Sequence, residues 1–83
     1  MEKNLYTRRQ QILLRLLREA RQDAGLLQQD VAEALDRPQS FVSKYESGER
    51  RLDILELRDV CQALGLSLGE FVKQLEKQLE KSA

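Results

Sequence analysis

The run Gln28-Gln29-Asp30-Val31-Ala32-Glu33-Ala34-Leu35, the break Asp36-Arg37-Pro38, and the run Gln39-Ser40-Phe41-Val42-Ser43-Lys44-Tyr45-Glu46 decide how this chain folds. In the first run Val31, Ala32 and Leu35 share one face of a short helix. Pro38 lacks a backbone donor and pushes Arg37 away from helical geometry, so that helix must stop before it. A second short helix follows from about Gln39 to Glu46, with Phe41, Val42 and Tyr45 turned inward and Gly48 positioned to end it. Two helices joined by so tight a turn cross steeply instead of lying antiparallel, and the second is presented outward. Its outer face then carries Gln39, Ser40, Ser43 and Lys44, side chains whose length and hydrogen-bonding groups suit the base edges of a DNA major groove.

Outward from this unit the periodicity stays helical. A first helix is expected from Thr7 to Ala24, with Thr7 and Gln10 spaced as a capping box, a stripe of Leu13, Leu16, Leu17, Ala20 and Ala24, and Gly25 as its stop. After the charged loop Glu49-Arg50-Arg51, Asp53 and Glu56 have capping-box spacing for a fourth helix through Leu57, Val60, Cys61 and Leu64 to Gly65. Ser67 and Glu70 repeat that spacing for a fifth, residues 67–81, bearing Leu68, Phe71, Val72, Leu75 and Leu79. No alternating apolar and polar stretch suggests a strand. The expectation is one all-α domain over residues 1–83, a compact five-helix bundle with an extended C-terminal helix and its two-helix unit at residues 28–47.

Composition narrows the function. Sixteen leucines and no tryptophan indicate a modest aliphatic core. The single cysteine, Cys61, has no partner for an internal disulfide and is read as a core residue, and the absence of histidine rules out a histidine-based metal or catalytic site. No glycine-rich phosphate loop or carboxylate pair suggests an enzyme, and no metal or cofactor is expected. No run has membrane-spanning length and no signal peptide is recognisable, so the chain reads as cytoplasmic. Fourteen basic and fourteen acidic residues give zero net charge, which counts mildly against a DNA binder. The charge is uneven: residues 1–51 carry 10 basic and 8 acidic side chains (net +2), and residues 52–83 carry 4 and 6 (net −2).

The ordered words Leu17-Arg18-Glu19-Ala20-Arg21, Ala24-Gly25-Leu26, Gln28 to Leu35, Val42-Ser43-Lys44-Tyr45-Glu46-Ser47-Gly48-Glu49-Arg50 and Ala63-Leu64-Gly65-Leu66-Ser67-Leu68 resemble the lambda-repressor-like (XRE/Cro) helix-turn-helix family. The resemblance spans Leu17 to Phe71. It implies a lambda-repressor-like DNA-binding fold and a sequence-specific transcriptional regulator, a repressor by preference. It further implies base contacts from Gln39, Ser40, Ser43 and Lys44, phosphate contacts from Gln28, Arg37, Ser47, Arg50 and Arg51, a bracing of Gln39 by Gln28, and a structural bridge between Arg21 and Glu46. The chain departs from the family pattern at four positions. Leu27 replaces the usual hydroxyl cap, Asp36 the usual glycine of the turn, Arg37 an apolar residue, and Pro38 the hydroxyl cap of the recognition helix. Asp36 is tolerable because aspartate visits the left-handed region more readily than most residues.

Leu75 and Leu79 prolong the apolar stripe of the last helix beyond what a small core needs. A symmetric homodimer through Phe71, Val72, Leu75 and Leu79 is therefore expected, reading double-stranded DNA at a palindromic operator. The competing reading folds Leu75 and Leu79 back on the first helix near Leu5, Tyr6 and Ile12. A second functional class also stays open: a helical protein-interaction module, such as a toxin-neutralising antitoxin, with an unidentified protein partner and DNA binding secondary.

Overall fold

A computed structural model describes the backbone of residues 2–82 and the side chains of residues 8–82. Among them are five helices and no strand: α1 (Glu2–Asp23), α2 (Gln28–Leu35), α3 (Gln39–Ser47), α4 (Ile54–Ala63) and α5 (Leu68–Lys81). α2 packs on α3 and α4, α1 on α3 and α5, and α4 on α5, so all five surround one core. Leu17, Val31, Val42, Tyr45, Val60, Cys61 and Phe71 are fully enclosed in it. Burial pushes the Cys61 thiol up to about 11, which leaves it protonated and unreactive.

Local chemistry explains where most helices begin and end. At α4 the Asp53 carboxylate accepts from the Glu56 N–H at 2.7 Å while Glu56 accepts from the Asp53 N–H at 3.0 Å. Ser67 and Glu70 do the same at α5, at 3.1 and 3.2 Å. Leu27 has no acceptor to offer α2, so only the returning half of a box exists there: the Leu27 N–H donates to Asp30 at 2.8 Å. The turn after α2 is made by Asp36, the one described non-glycine residue at positive φ (56°). In that conformation the backbone N–H groups of Asp36 and Arg37 bond to the carbonyls of Glu33 and Ala32. Pro38 is extended at ψ 153°, and α3 starts at Gln39 directly behind it. Gly48, at φ 89°, ends α3, and its Cα edge faces a Leu14 methyl, where a Cβ would lie 3.6 Å away.

Two expectations are corrected. α1 is already helical at Glu2, so no helix starts at Thr7, whose side chain lies outside the described residues. Phe71 has 0% exposure inside the chain's own core and cannot face a second copy. Leu75 packs against the same core, and Arg15 of α1 donates to Gln78 of α5 at 3.3 Å, so the stripe of α5 is turned largely toward α1. Leu5 and Tyr6, named in the competing reading, lie outside the described side chains. Val72, Leu75 and Leu79 remain half-buried, whereas Ile54 (62%) and Leu55 (70%) at the start of α4 are far more exposed.

Because Phe71 closes the core between α5 and its neighbours, Phe71→Ala is expected to lower unfolding free energy by about 3–5 kcal/mol in urea titration. A value near zero would mean that α5 is not docked as described.

Candidate nucleic-acid interface

Four residues from three helices meet at one corner. Arg21, in the last turn of α1, donates from Nε to Glu46 Oε2 at 2.7 Å and from Nη2 to Glu46 Oε1 at 3.1 Å. Its Nη1 donates to the Leu26 carbonyl at 2.9 Å, which also ties down the loop before α2. Both side chains are largely sequestered, at 11% and 6% exposure. The hydrogen bonds to Glu46 raise the Arg21 guanidinium above its ordinary value, so it stays charged at any working pH.

The same carboxylate orients the next two side chains. An ionised carboxylate only accepts, so Gln28 must turn its NH2 toward Glu46, which it does at 3.0 Å. The Gln28 oxygen is thereby directed at Gln39, whose Nε2 donates to it at 3.3 Å. Gln39 keeps its own carbonyl oxygen and one amide hydrogen for an outside partner. Those are the two groups that pair with N6 and N7 of adenine.

Ser40, Ser43 and Lys44 are exposed on the same outward ridge of α3. Ser47 is also exposed, but its hydroxyl donates to the Lys44 carbonyl at 3.1 Å, which uses the one hydrogen it could give a phosphate. A cleft of about 350 Å³ beside the end of α3 is lined by Gln11, Arg15, Arg18 and Ser47 together with Leu14 and Glu46. Arg15 and Arg18 are two exposed cations beside the ridge that the sequence reading passed over. Their signal was their position one and two turns before Arg21 on the helix that carries it.

Arg37 and Arg50 flank Phe41 of α3. Their guanidinium carbons lie 4.4 and 4.7 Å from the ring centroid, within cation–π range. Both are drawn to Glu56: Arg50 binds it with two hydrogen bonds of 3.0 and 2.8 Å, and Arg37 Nη2 stands 3.6 Å away. Arg51 is exposed, and its carbonyl accepts from Arg50 at 2.9 Å. Glu56 was legible in the sequence as a helix cap, and the arginine pair is its second task. The hydrogen bonds from Arg50, followed by that from the Asp53 backbone, hold the Glu56 carboxyl down at about 2, against an ordinary 4.5.

Glu46→Ala leaves the Arg21 charge sequestered without its partner and is expected to lower unfolding free energy by about 3 kcal/mol in denaturant titration. At Glu56 the folded-state value is the depressed one. Its contribution is therefore complete above the ordinary 4.5 and is lost as pH falls toward 2. The melting temperature of the wild type should thus fall more steeply than that of Glu56→Gln across that window, and parallel curves would contradict the pairing.

A family profile described as helix-turn-helix matches residues 17–71 of the chain. Among solved structures, the XRE-family like protein from Pseudomonas syringae pv. tomato is 45% identical with a TM-score of 0.85, covering 93% of this chain and 94% of that one. The clp gene regulator ClgR from Corynebacterium glutamicum is 26% identical with a TM-score of 0.76, covering 89% of this chain and 79% of that one. The wild-type restriction-modification controller protein C.Esp1396I has a TM-score of 0.80 over 88% of this chain and 95% of that one, and at 23% identity it speaks to the fold alone. A search of curated protein sequences finds no match. With the profile covering the two-helix unit, the end of α1 and all of α4, and a near full-length likeness at 45% identity, the chain belongs to the XRE family of helix-turn-helix DNA-binding regulators.

Proposed function

We propose that this protein represses transcription by binding, as a homodimer, a palindromic operator that it reads through α3. One observation carries the reading. The Gln39 amide is held by Gln28 and through it by Glu46, and the exposed side chain keeps an acceptor and a donor for an outside partner. Gln39 pairs with adenine. Ser40, Ser43 and Lys44 read the neighbouring base edges. Gln28, at the first position of α2, adds its helix N-terminus to a phosphate contact. Arg37, Arg50 and Arg51 contact the backbone on either side, and Ser47 reaches it only after its hydroxyl has released the Lys44 carbonyl.

The clp gene regulator among the solved structures supports the transcriptional role. The dimer needs an apolar surface. Val72, Leu75 and Leu79 contribute what α5 leaves uncovered, and Ile54 and Leu55 add the most exposed adjacent pair. A two-fold axis then sets the two recognition helices about one DNA turn, roughly 34 Å, apart. A dimer lying across a promoter excludes polymerase, and this is the basis for assigning repression.

The test is fluorescence anisotropy with DNA from upstream of the protein's own gene, at several salt concentrations. Submicromolar, salt-sensitive binding that exceeds binding to random DNA is expected, and equal affinity for both would contradict the reading. Gln39→Ala or Lys44→Ala should relax preference at single positions by about 1–3 kcal/mol, whereas Arg51→Ala should weaken all sequences alike. Leu55→Glu should shift sedimentation toward the monomer; an unchanged mass would place the interface elsewhere.

A further inference from the structure

Arg50 carries five N–H bonds, and the structure accounts for three. Nη1 donates to the Arg51 carbonyl and to Glu56 Oε1, at 2.9 and 3.0 Å, and Nη2 donates to Glu56 Oε2 at 2.8 Å. The Nε–H and the second Nη2 hydrogen remain. In a planar guanidinium these two lie on one edge and point in parallel, forming the side-on fork that grips two oxygens of a carboxylate or phosphate. The guanidinium lies over the Phe41 ring, and the side chain as a whole is 38% exposed, so the residue is accessible to an outside partner.

Glu56 is itself tied to the backbone. It is anchored to the first turn of α4 by the reciprocal hydrogen bonds with Asp53, and it lies at 18% exposure. The arginine next to the recognition helix is thus held on its end by a fixed acid, on its face by a ring of that helix, and on its Nη1 by a backbone carbonyl. A flexible surface cation has none of these restraints.

We propose that Glu56, an acidic residue, is a positioning residue for DNA: it holds the Arg50 guanidinium against Phe41 so that the side-on fork is preset for one phosphate beside the recognition helix. The inference rests on the DNA-binding reading above and adds to it a role for a residue whose own charge repels DNA. The two effects of Glu56 have opposite signs. By charge alone, removing a carboxylate near a polyanion strengthens binding. By positioning, removing it frees the guanidinium, and the ordering must then occur on binding.

Glu56→Gln separates the two. Glutamine at the third position of a helix still returns to the cap backbone N–H, so α4 keeps its start. Dissociation constants for upstream and for random DNA are measured in the wild type, Glu56→Gln, Arg50→Ala and the double variant, below the melting temperature of each. Glu56→Gln is expected to weaken binding to both DNAs by about two- to tenfold despite the lost negative charge, with no weakening in the Arg50→Ala background. Arg50→Lys, which keeps the charge on an exposed side chain but lacks the fork, is expected to weaken binding as Arg50→Ala does. A wild type that binds DNA while Glu56→Gln binds equally or more tightly overturns the positioning role alone. So does an equal loss with and without Arg50, or wild-type affinity in Arg50→Lys. A wild type that binds no DNA overturns the DNA-binding reading and this role together.

Discussion

The Glu46 carboxylate is the constraint on which the rest of the interface depends. It lies near the end of α3, accepts a two-pronged contact from Arg21 of α1, and accepts a third hydrogen bond from Gln28 at the start of α2. Because a carboxylate can only accept, its position determines which way each neighbouring amide faces, up to the Gln39 side chain on the outer ridge. A sequestered ion pair of this kind adds little net stability over an apolar pair of the same volume. Its value lies in geometry: it relates the end of the first helix, the start of the second and both ends of the third through directional contacts. Packing of Val31, Ala32 and Val42 holds the same helices together but does not specify the amide orientation.

The second constraint lies at the other edge of α3, where Phe41 is flanked by Arg37 and Arg50 and both converge on Glu56. Zero net charge is compatible with DNA binding when some of the acids are placed in local roles. Asp30, Asp53, Glu56 and Glu70 accept from backbone N–H groups at helix starts, where negative charge is favourable, and Glu46 and Glu56 hold arginines. Five of the fourteen acidic residues are thus committed to local structure, while Lys44, Arg15 and Arg18 stand exposed along or beside the ridge. What DNA meets is the local pattern of charge, and the sum over the chain is a poor guide to it.

The elements that could be read from sequence are those set by local chemistry. The Asp53–Glu56 and Ser67–Glu70 boxes, the Asp36-Arg37-Pro38 break and the glycines after α3 and α4 each act within a few residues, and helices lie where those signals place them. The start of α1 could not be read that way, because Thr7 has the residue type of a cap but sits within a backbone that is helical from Glu2. The apolar stripe of α5 was legible, but the surface it covers was not. Periodicity says that Phe71 and Leu75 are buried without saying whether against the same chain or a second copy, and Phe71 proves to be enclosed in its own core. At the site, family likeness singled out Arg21, Glu46, Gln28 and Gln39, and only the fold shows the hydrogen-bonded chain that joins them. The Glu56 contacts with Arg37 and Arg50 had no sequence signal beyond opposite charge, since a residue already explained as a cap gives no cue to a second task.

The central claim is that the outer ridge of α3, aimed by Glu46 through Gln28, is the surface that meets DNA. Titrating upstream DNA into isotope-labelled protein and following backbone and side-chain amide resonances tests it most directly. The account predicts that the largest shifts fall on the side-chain amides of Gln28 and Gln39 and on the backbone of residues 39–44 and 50–51, with α5 little changed. Shifts centred on α4 and α5, with the Gln28 and Gln39 amides unmoved, would contradict it.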